Sequence, residues 1–483
     1  MILRKTQDHD ERNRIMKKKK PKRRRKPGKN WKKFWKLGVD GWNTQFFDVN
    51  KEGELTANEG HHIYNLNDLA LKYGTPLQVI FPFIIEDQLK DLIGYFQAYM
   101  KIYGYKGKFS YHYPMKVNQN KEFILPIISE GGNLEVTSIN ELWIVKKLWE
   151  GEKFNSKIRV FCNGPKTDQY LDLVEELRGK EMNIVPIIES SEEVEKLSKY
   201  KGDIGVRVNL EVKSDTHWDK KFDLFGLSEK DALDLAKIKN LKVMHYHVGS
   251  QIKSQKGILD AVKYAFGIYI KLQKTHSSLD TIDIGGGFGI PYERKKFYTA
   301  KGVSNKIVRM LKNLSDKAEI KHPNLAVEWG RYIVAPAQVT LYKVIYKKNI
   351  LKANANSWYV IDGSFMNDLK DTWAIHQKWH IIPANNMHGS LKTTWLAGST
   401  CDSDDKYTDG GNYVLMPKLH EDQSQFIAVL DTGAYQDGLS SHHCLLSAPL
   451  KIVAQDGMIK IFRKRENADS VGKLFGWTNG DHK

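Results

Sequence analysis

The sequence predicts an α/β protein: a closed (β/α)8 barrel joined to a second, mostly antiparallel β domain. Three observations predict it. Eight apolar runs of strand length alternate with helical patterns over about 220 residues. Polar residues collect at the C-terminal ends of those runs, the rim on which barrels build their sites. After about residue 340 the rhythm changes to short runs broken by Gly, Asn and Asp clusters, as in antiparallel sheets. A doubly wound open sheet shares the alternation, and counting strands does not by itself prove closure.

Taken in order, residues 1–36 hold 17 Lys/Arg against 3 Asp/Glu, so +14 of the chain's +18 charge lies there and +4 in the remainder. Residues 17–26 read KKKKPKRRRK. Like charges repel, and a segment almost without apolar residues cannot offset its ordering entropy, so residues 1–30 are expected to be disordered. Such a run solubilises, attracts nucleic acid or an acidic surface, or serves as a nuclear-import address. It contains no aromatic residue for base stacking. Salt-dependent binding lost on deleting residues 1–30 would separate the second reading from the first.

Residues 31–78, with WNTQFFDV, are expected to contribute to the β domain. The barrel is expected over 79–340. Its strands are expected at Phe109–Lys116, Asn133–Ser138, Lys157–Asn163, Asn183–Glu189, Asp203–Leu210, Leu241–Val248, Thr281–Gly285 and Asn324–Glu328. Helices are expected between them at Asp168–Leu177, Ser191–Leu197, Lys230–Ile238 and Ile258–Leu272. In the last, Ile258, Val262, Ala265, Ile268 and Leu272 recur at spacings of three and four, which sets them on one face. The β domain, 341–483, is expected to contain Trp358–Ile361, Tyr413–Met416, Phe426–Leu430 and Lys451–Val453.

Composition narrows the function class. The chain is 41% apolar and 27% charged, which excludes global disorder. Three cysteines, Cys162, Cys401 and Cys444, cannot build a disulfide framework or a four-thiolate zinc site, and they suit a reducing cytoplasm. No run approaches ~20 apolar residues, so no membrane span is expected. The first residues lack a signal-like apolar core, so export is not expected.

The strand ends carry Lys116, Glu135 and Ser138, Asn163, His247 and Ser250, Gly285–Gly287, and Glu328 with Arg331, while Arg207 lies within the fifth strand. Singly, each has a plain explanation. Lys116 reads as an exposed rim lysine, Gly285–Gly287 as a tight turn, and Glu328 with Arg331 as an ion pair. His245 and His247 lack a third ligand at characteristic spacing, so no metal site is expected. Together they suggest one chemistry. A lysine that loses its proton in a desolvated pocket forms a Schiff base with an aldehyde. Glycine amides cradle a phosphate, and an arginine adds a charged fork. A buried glutamate keeps a pyridine nitrogen protonated, and an imidazole covers the ring. The parts fit pyridoxal 5'-phosphate.

The chain resembles the fold-type III pyridoxal-phosphate decarboxylases of basic amino acids over about residues 60–455. The pieces that carry the resemblance are YPMKVN at 113–118, HVGS at 247–250, DIGGGFG at 283–289, EWGR at 328–331, CDSDD at 401–405 and GAYQ at 433–436, in the family's order. The resemblance implies an alanine racemase-like architecture. It implies that Lys116 carries the cofactor and His247 stacks on its ring. Ser250, Gly285, Gly286, Gly287 and Arg331, helped by Tyr435, are implied to hold the phosphate. Glu328 is implied to face the ring nitrogen, with Glu135 close to the cofactor. Cys401 resembles the cysteine that a neighbouring subunit inserts to reprotonate the α carbon, and Asp402 the acid that meets the substrate's distal group. Shared sites imply at least a homodimer.

Alanine racemases place arginine near the ring nitrogen, so Glu328 favours decarboxylation. A distal cation needs carboxylates, and Asp402, Asp404 and Asp405 together suit the five donors of a guanidinium. The wording is similar to biosynthetic arginine decarboxylases, which make agmatine for polyamine synthesis. Diaminopimelate decarboxylases typically carry glutamate after the cysteine, whereas ornithine decarboxylases have a similar cysteine–aspartate pair. The family also includes non-catalytic relatives that bind partners.

Overall fold

The computed structural model describes residues 30–152, 158–210, 224–292, 298–350, 353–408, 413–420 and 422–478. The basic run 17–26, with the disorder expected of it, lies outside them. Near the N-terminus, β1 (Phe47–Val49), β2 (Leu55–Glu59) and β3 (His62–Asn65) form a small antiparallel sheet of their own. It is tied to the C-terminal half by Leu55 N–H donating to the Ala384 carbonyl at 2.9 Å and by Asn43 Nδ2 donating to Asp431 at 2.6 Å. The strand that enters the large sheet is β4 (Leu77–Ile80), which lies between the strands Gln338–Asn349 and Leu450–Gln455.

The barrel closes. Its strands are β5 (Phe109–Pro114), β6 (Asn133–Val136), β7 (Arg159–Cys162), β8 (Asn183–Ile188), β9 (Ile204–Arg207), β10 (Leu241–His245), β11 (Thr281–Asp283) and β12 (Asn324–Val327). All eight fall within the runs expected from sequence. Closure is made by the parallel pair β12–β5, with Leu325 opposite Phe109, and it excludes the open-sheet alternative. The strands read as continuous apolar runs because both faces are covered. Inward-facing Phe161, Val185, Ile187, Val243 and Ala326 fill the bore as a separate cluster. His112 stacks on Phe161, with centroids 3.7 Å apart, and closes the bore below the rim. Burial holds the His112 imidazole below its ordinary value, so it is neutral.

The helical layer departs from eight simple strand–helix units. After β12 only a five-residue helix, Gly330–Val334, follows before the chain leaves the barrel. The gap is filled from the N-terminal side by the helix Pro82–Tyr103, which packs on the helix Ala300–Lys317. Proline at its first position has no N–H to leave unpaired, and Gly104 in the left-handed region ends it. Leu89, Leu92, Phe96 and Met100 form its buried stripe, and each such side chain contributes ~1.5–3 kcal/mol on burial. The expected face Ile258–Leu272 is the buried face of a helix spanning Gln255–Thr275.

The remaining strands are β13 (Gln338–Asn349), β14 (Ser357–Ile361), β15 (Ile381–Pro383), β16 (Leu391–Ala397), β17 (Lys406–Tyr407), β18 (Val414–Pro417), β19 (Phe426–Val429), β20 (Leu450–Gln455) and β21 (Met458–Arg463). The long β13 is the hinge of this sheet. Its first half pairs with β4 and β19, and its second half with β14. The sheet is mostly antiparallel, with β14–β16 and β4–β20 parallel. No described helix is long and apolar enough to cross a membrane.

Candidate active site

At the end of β5, Pro114 has no N–H with which to continue the ladder, and the chain turns through Met115–Val117. Met115 and Val117 are buried, which turns Lys116 toward the cleft at the barrel rim, where its side chain stays 39% exposed. Its Nζ lies 3.4 Å from Oε2 of Glu135 on β6. Glu135 is fully buried, and Asn163, at the end of β7, donates to its other oxygen at 2.9 Å. Burial alone would lower the Lys116 ammonium. The facing carboxylates Glu135 and Glu328 outweigh it and hold the group above the ordinary lysine value. A lysine neutralised by desolvation was expected; here the carboxylates decide, and without a bound cofactor Lys116 is charged.

Glu328 follows β12 and is 3% exposed, and its Oε1 has no hydrogen-bond partner. Below it lies a chain of buried groups. His245 Nδ1 is 3.8 Å from Glu328 Oε1 and 2.8 Å from Asp283 Oδ2. Asp283 Oδ1 accepts the Gly285 N–H at 2.9 Å. Burial pushes Asp283 up to about 7, while burial and the neighbouring Asp283 carboxylate hold Glu328 well above the usual carboxylate range. Asp283 therefore ties the glycine loop to the floor beneath Glu328. Sequence reasoning quoted it inside DIGGGFG without a role; the signal was a carboxylate on a strand otherwise buried.

The glycine loop cannot carry side chains. Gly285 has φ +62°, and a Cβ there would lie 2.2 Å from the Tyr246 carbonyl. Gly287 has φ +97°, and a Cβ would lie 2.6 Å from the Gly249 carbonyl. Gly286 donates its N–H to His247 Nδ1 at 3.1 Å, which makes Nδ1 an acceptor and fixes the imidazole's orientation. Arg331 donates to the Tyr292 hydroxyl at 2.9 Å, lies 4.5 Å over the Tyr435 ring, and leaves its Nε unpartnered. Tyr435, at φ 70°, donates its N–H to the Val117 carbonyl at 2.6 Å. The turn after Lys116 is anchored as well. Asn118 donates to Asp437 at 2.9 Å, and Asp437 is paired with the buried Lys451 at 2.6 Å.

Lys116, His247, Ser250, Gly286, Gly287, Glu328, Arg331 and Tyr435 thus line one cleft. The cleft offers what pyridoxal phosphate requires: an amine, a Cβ-free backbone loop beside an arginine with a spare donor, and a buried carboxylate oxygen without a partner. Gly287→Ala is expected to weaken binding of pyridoxal phosphate more than tenfold and also to lower the thermal midpoint of the cofactor-free protein, because alanine is strained at φ +97° and its Cβ meets the Gly249 carbonyl. Fluorescence titration and melting curves check this, and unchanged affinity would remove the loop from the phosphate site.

Cys401, Asp402, Asp404 and Asp405 do not line this cleft. They lie on a turn of the β domain between β16 and β17. Cys401 is exposed, Asp402 caps the Asp404 N–H at 2.8 Å, and Asp404 pairs with Lys406 at 3.1 Å. Asp405 does not fit a substrate-facing acid. It is 2% exposed, and its oxygens accept from Phe365 N–H at 2.8 Å, Met366 N–H at 3.2 Å, and Thr400 Oγ1 at 2.8 Å. Its carboxylate holds the loop.

A closed barrel with a lysine, a glycine cradle and a buried carboxylate at its rim, carrying a mostly antiparallel sheet domain, defines a pyridoxal-phosphate enzyme of the alanine racemase-like architecture. The chain belongs to the pyridoxal-dependent decarboxylases: the family's pyridoxal binding domain matches residues 89–335. It is 24% identical to the biosynthetic arginine decarboxylase of Prochlorococcus marinus (strain AS9601), over 90% of this chain and 89% of the relative. Among solved structures it is similar to the biosynthetic arginine decarboxylase of Campylobacter jejuni, with a TM-score of 0.79 at 20% identity over 91% of this chain and 92% of that one. It is likewise similar to a diaminopimelate decarboxylase from M. jannaschii in co-complex with L-lysine, with a TM-score of 0.76 at 23% identity over 89% and 97%.

Proposed function

We propose that this decarboxylase acts on L-arginine and releases agmatine and carbon dioxide, the entry step to polyamines such as spermidine. The observation that carries the substrate is the likeness to a biosynthetic arginine decarboxylase along nine-tenths of the chain. Asp402, with its carboxylate beside the exposed Cys401, is the acid that meets the guanidinium, and Asp404 adds charge nearby. Asp405 takes no part in that contact.

Pyridoxal phosphate, when bound, supplies an electron sink for the pair left behind as the carboxyl group departs. Arg331, Ser250 and the Gly285–Gly287 backbone hold its phosphate. Tyr435 keeps the Arg331 guanidinium in place by stacking. His247, locked by Gly286, covers the ring face and excludes water. Glu328 holds a proton at the ring nitrogen, and a cation there relieves the cost of its own buried charge. Lys116 Nζ holds the cofactor in the resting enzyme, and Glu135 orients that amine. Cys401, contributed to a neighbouring subunit's cleft in a homodimer, delivers a proton to the substrate α carbon. The homodimer, a cytoplasmic location and an electrostatic role for the basic tail toward nucleic acid belong to the same reading.

Carbon dioxide release from arginine, ornithine, lysine and diaminopimelate tests the substrate. Arginine is expected to give the largest kcat/KM, by at least tenfold. A larger value for ornithine would replace the substrate and keep the mechanism. Release from none of the four, with cofactor bound, would favour a non-catalytic binding protein.

A further inference from the structure

A second constellation lies on the β domain. Cys401 Sγ and Cys444 Sγ are 3.4 Å apart, and both residues are exposed. His443 completes a trio whose ligand atoms all lie within 4.8 Å of one another. Asp402 Oδ2 lies 3.9 Å from His443 Nε2. We propose that Cys401, Cys444 and His443 form a binding site for a thiophilic divalent cation such as Zn²⁺, with Asp402 or a water as the fourth ligand.

Both arms of the site are built, and on the same support. The Cys401 arm is held by Asp405, which bonds both Thr400 Oγ1 and the Phe365 and Met366 amides. The other arm is held by the buried Asn367, which accepts the His443 N–H at 3.0 Å and donates to the His443 carbonyl at 2.9 Å. Asp405 and Asn367 thus clamp the two arms to one short turn, residues 364–368. Cys444, at φ 56°, takes the left-handed backbone that brings its thiol toward Cys401. Zinc binds thiolate at ~2.3 Å and imidazole at ~2.0–2.1 Å, in a tetrahedron. Two thiolates at that radius stand roughly 3.8 Å apart, so the thiols need to open by only a few tenths of an ångström. Two soft sulfurs and an imidazole select zinc-like ions over magnesium or calcium. Sequence reasoning expected no metal because three cysteines cannot make a four-thiolate site and His245 and His247 lack a third ligand at characteristic spacing; Cys401 and Cys444 are 43 residues apart and meet only through the fold.

Occupancy has a consequence, which rests on the catalytic reading of Cys401. A metal-bound sulfur carries no proton to deliver, so the cation would inhibit turnover reversibly.

The test uses the cofactor-loaded enzyme in a phosphine reductant, which keeps the thiols free. One equivalent of Co²⁺ is expected to give the visible d–d bands of a tetrahedral thiolate site, to the red of the cofactor's absorption, and Zn²⁺ should bleach them. Cys444→Ser and His443→Ala should each lose the bands or weaken binding at least tenfold. Absence of bands, or bands unchanged in Cys444→Ser, would overturn the site. Zn²⁺ should also suppress carbon dioxide release until a chelator is added, and Cys444→Ser should need at least tenfold more Zn²⁺. Bands without inhibition would uphold the site and remove Cys401 from the reaction.

Discussion

Lys116→Ala is expected to abolish turnover, by about 10³-fold or more, because among the described residues it removes the only amine lining the cleft and with it both the tether and a proton carrier. Borohydride treatment of the loaded wild-type enzyme should fix the cofactor on the peptide containing Lys116, and the variant should retain no fixed cofactor. The same substitution leaves Glu135 fully buried without its cation, at 3.4 Å in the parent. Breaking a buried pair from one side is destabilising, so loss of activity alone would be ambiguous. Lys116→Arg resolves it. The guanidinium keeps a cation opposite Glu135 but cannot act as the nucleophilic amine. It should melt close to wild type and remain inactive. Since the carboxylates hold Lys116 charged, capture of added cofactor by the free protein should also quicken as pH rises from 7 to 9. Full turnover in either variant would refute the assignment of Lys116.

How much of this was legible follows from what each signal depends on. The eight barrel strands were legible because a buried parallel strand is a continuous apolar run, and a run needs no partner to be seen. The helix Pro82–Tyr103 was not assigned, since its place in the barrel's outer layer depends on packing against Ala300–Lys317 across two hundred residues of chain. The same division holds in the site. Lys116, His247, Gly286, Gly287, Glu328 and Arg331 sit on strand ends within short motifs, and the structure gathers them in one cleft. The role of Asp405 was misread, because CDSDD offers several acids and nothing local says which one turns inward to accept from Thr400 and from the distant Phe365 and Met366 amides. The Cys401–Cys444 approach was invisible for the same reason.

Glu328→Gln should lower turnover by about 10²-fold or more while stabilising the cofactor-free protein at alkaline pH. The two effects have one origin. Glu328 is buried, its Oε1 has no partner, and burial with the Asp283 carboxylate holds it well above the usual range. A carboxyl raised in the fold favours folding while protonated, and that contribution is lost as pH rises through the folded value. Glutamine mimics the protonated form at every pH. Thermal midpoints of wild type and variant should therefore agree below about pH 4 and separate progressively above it, the variant melting higher. In the loaded enzyme the sign reverses. A neutral amide cannot hold a proton at the ring nitrogen, so the electron sink weakens and kcat falls, while KM changes little because the substrate is not touched. A structural role alone would lower stability and activity together. A variant that melts lower than wild type at pH 8.5, or one that keeps kcat, would show that the carboxylate at 328 is not held at this site for its charge.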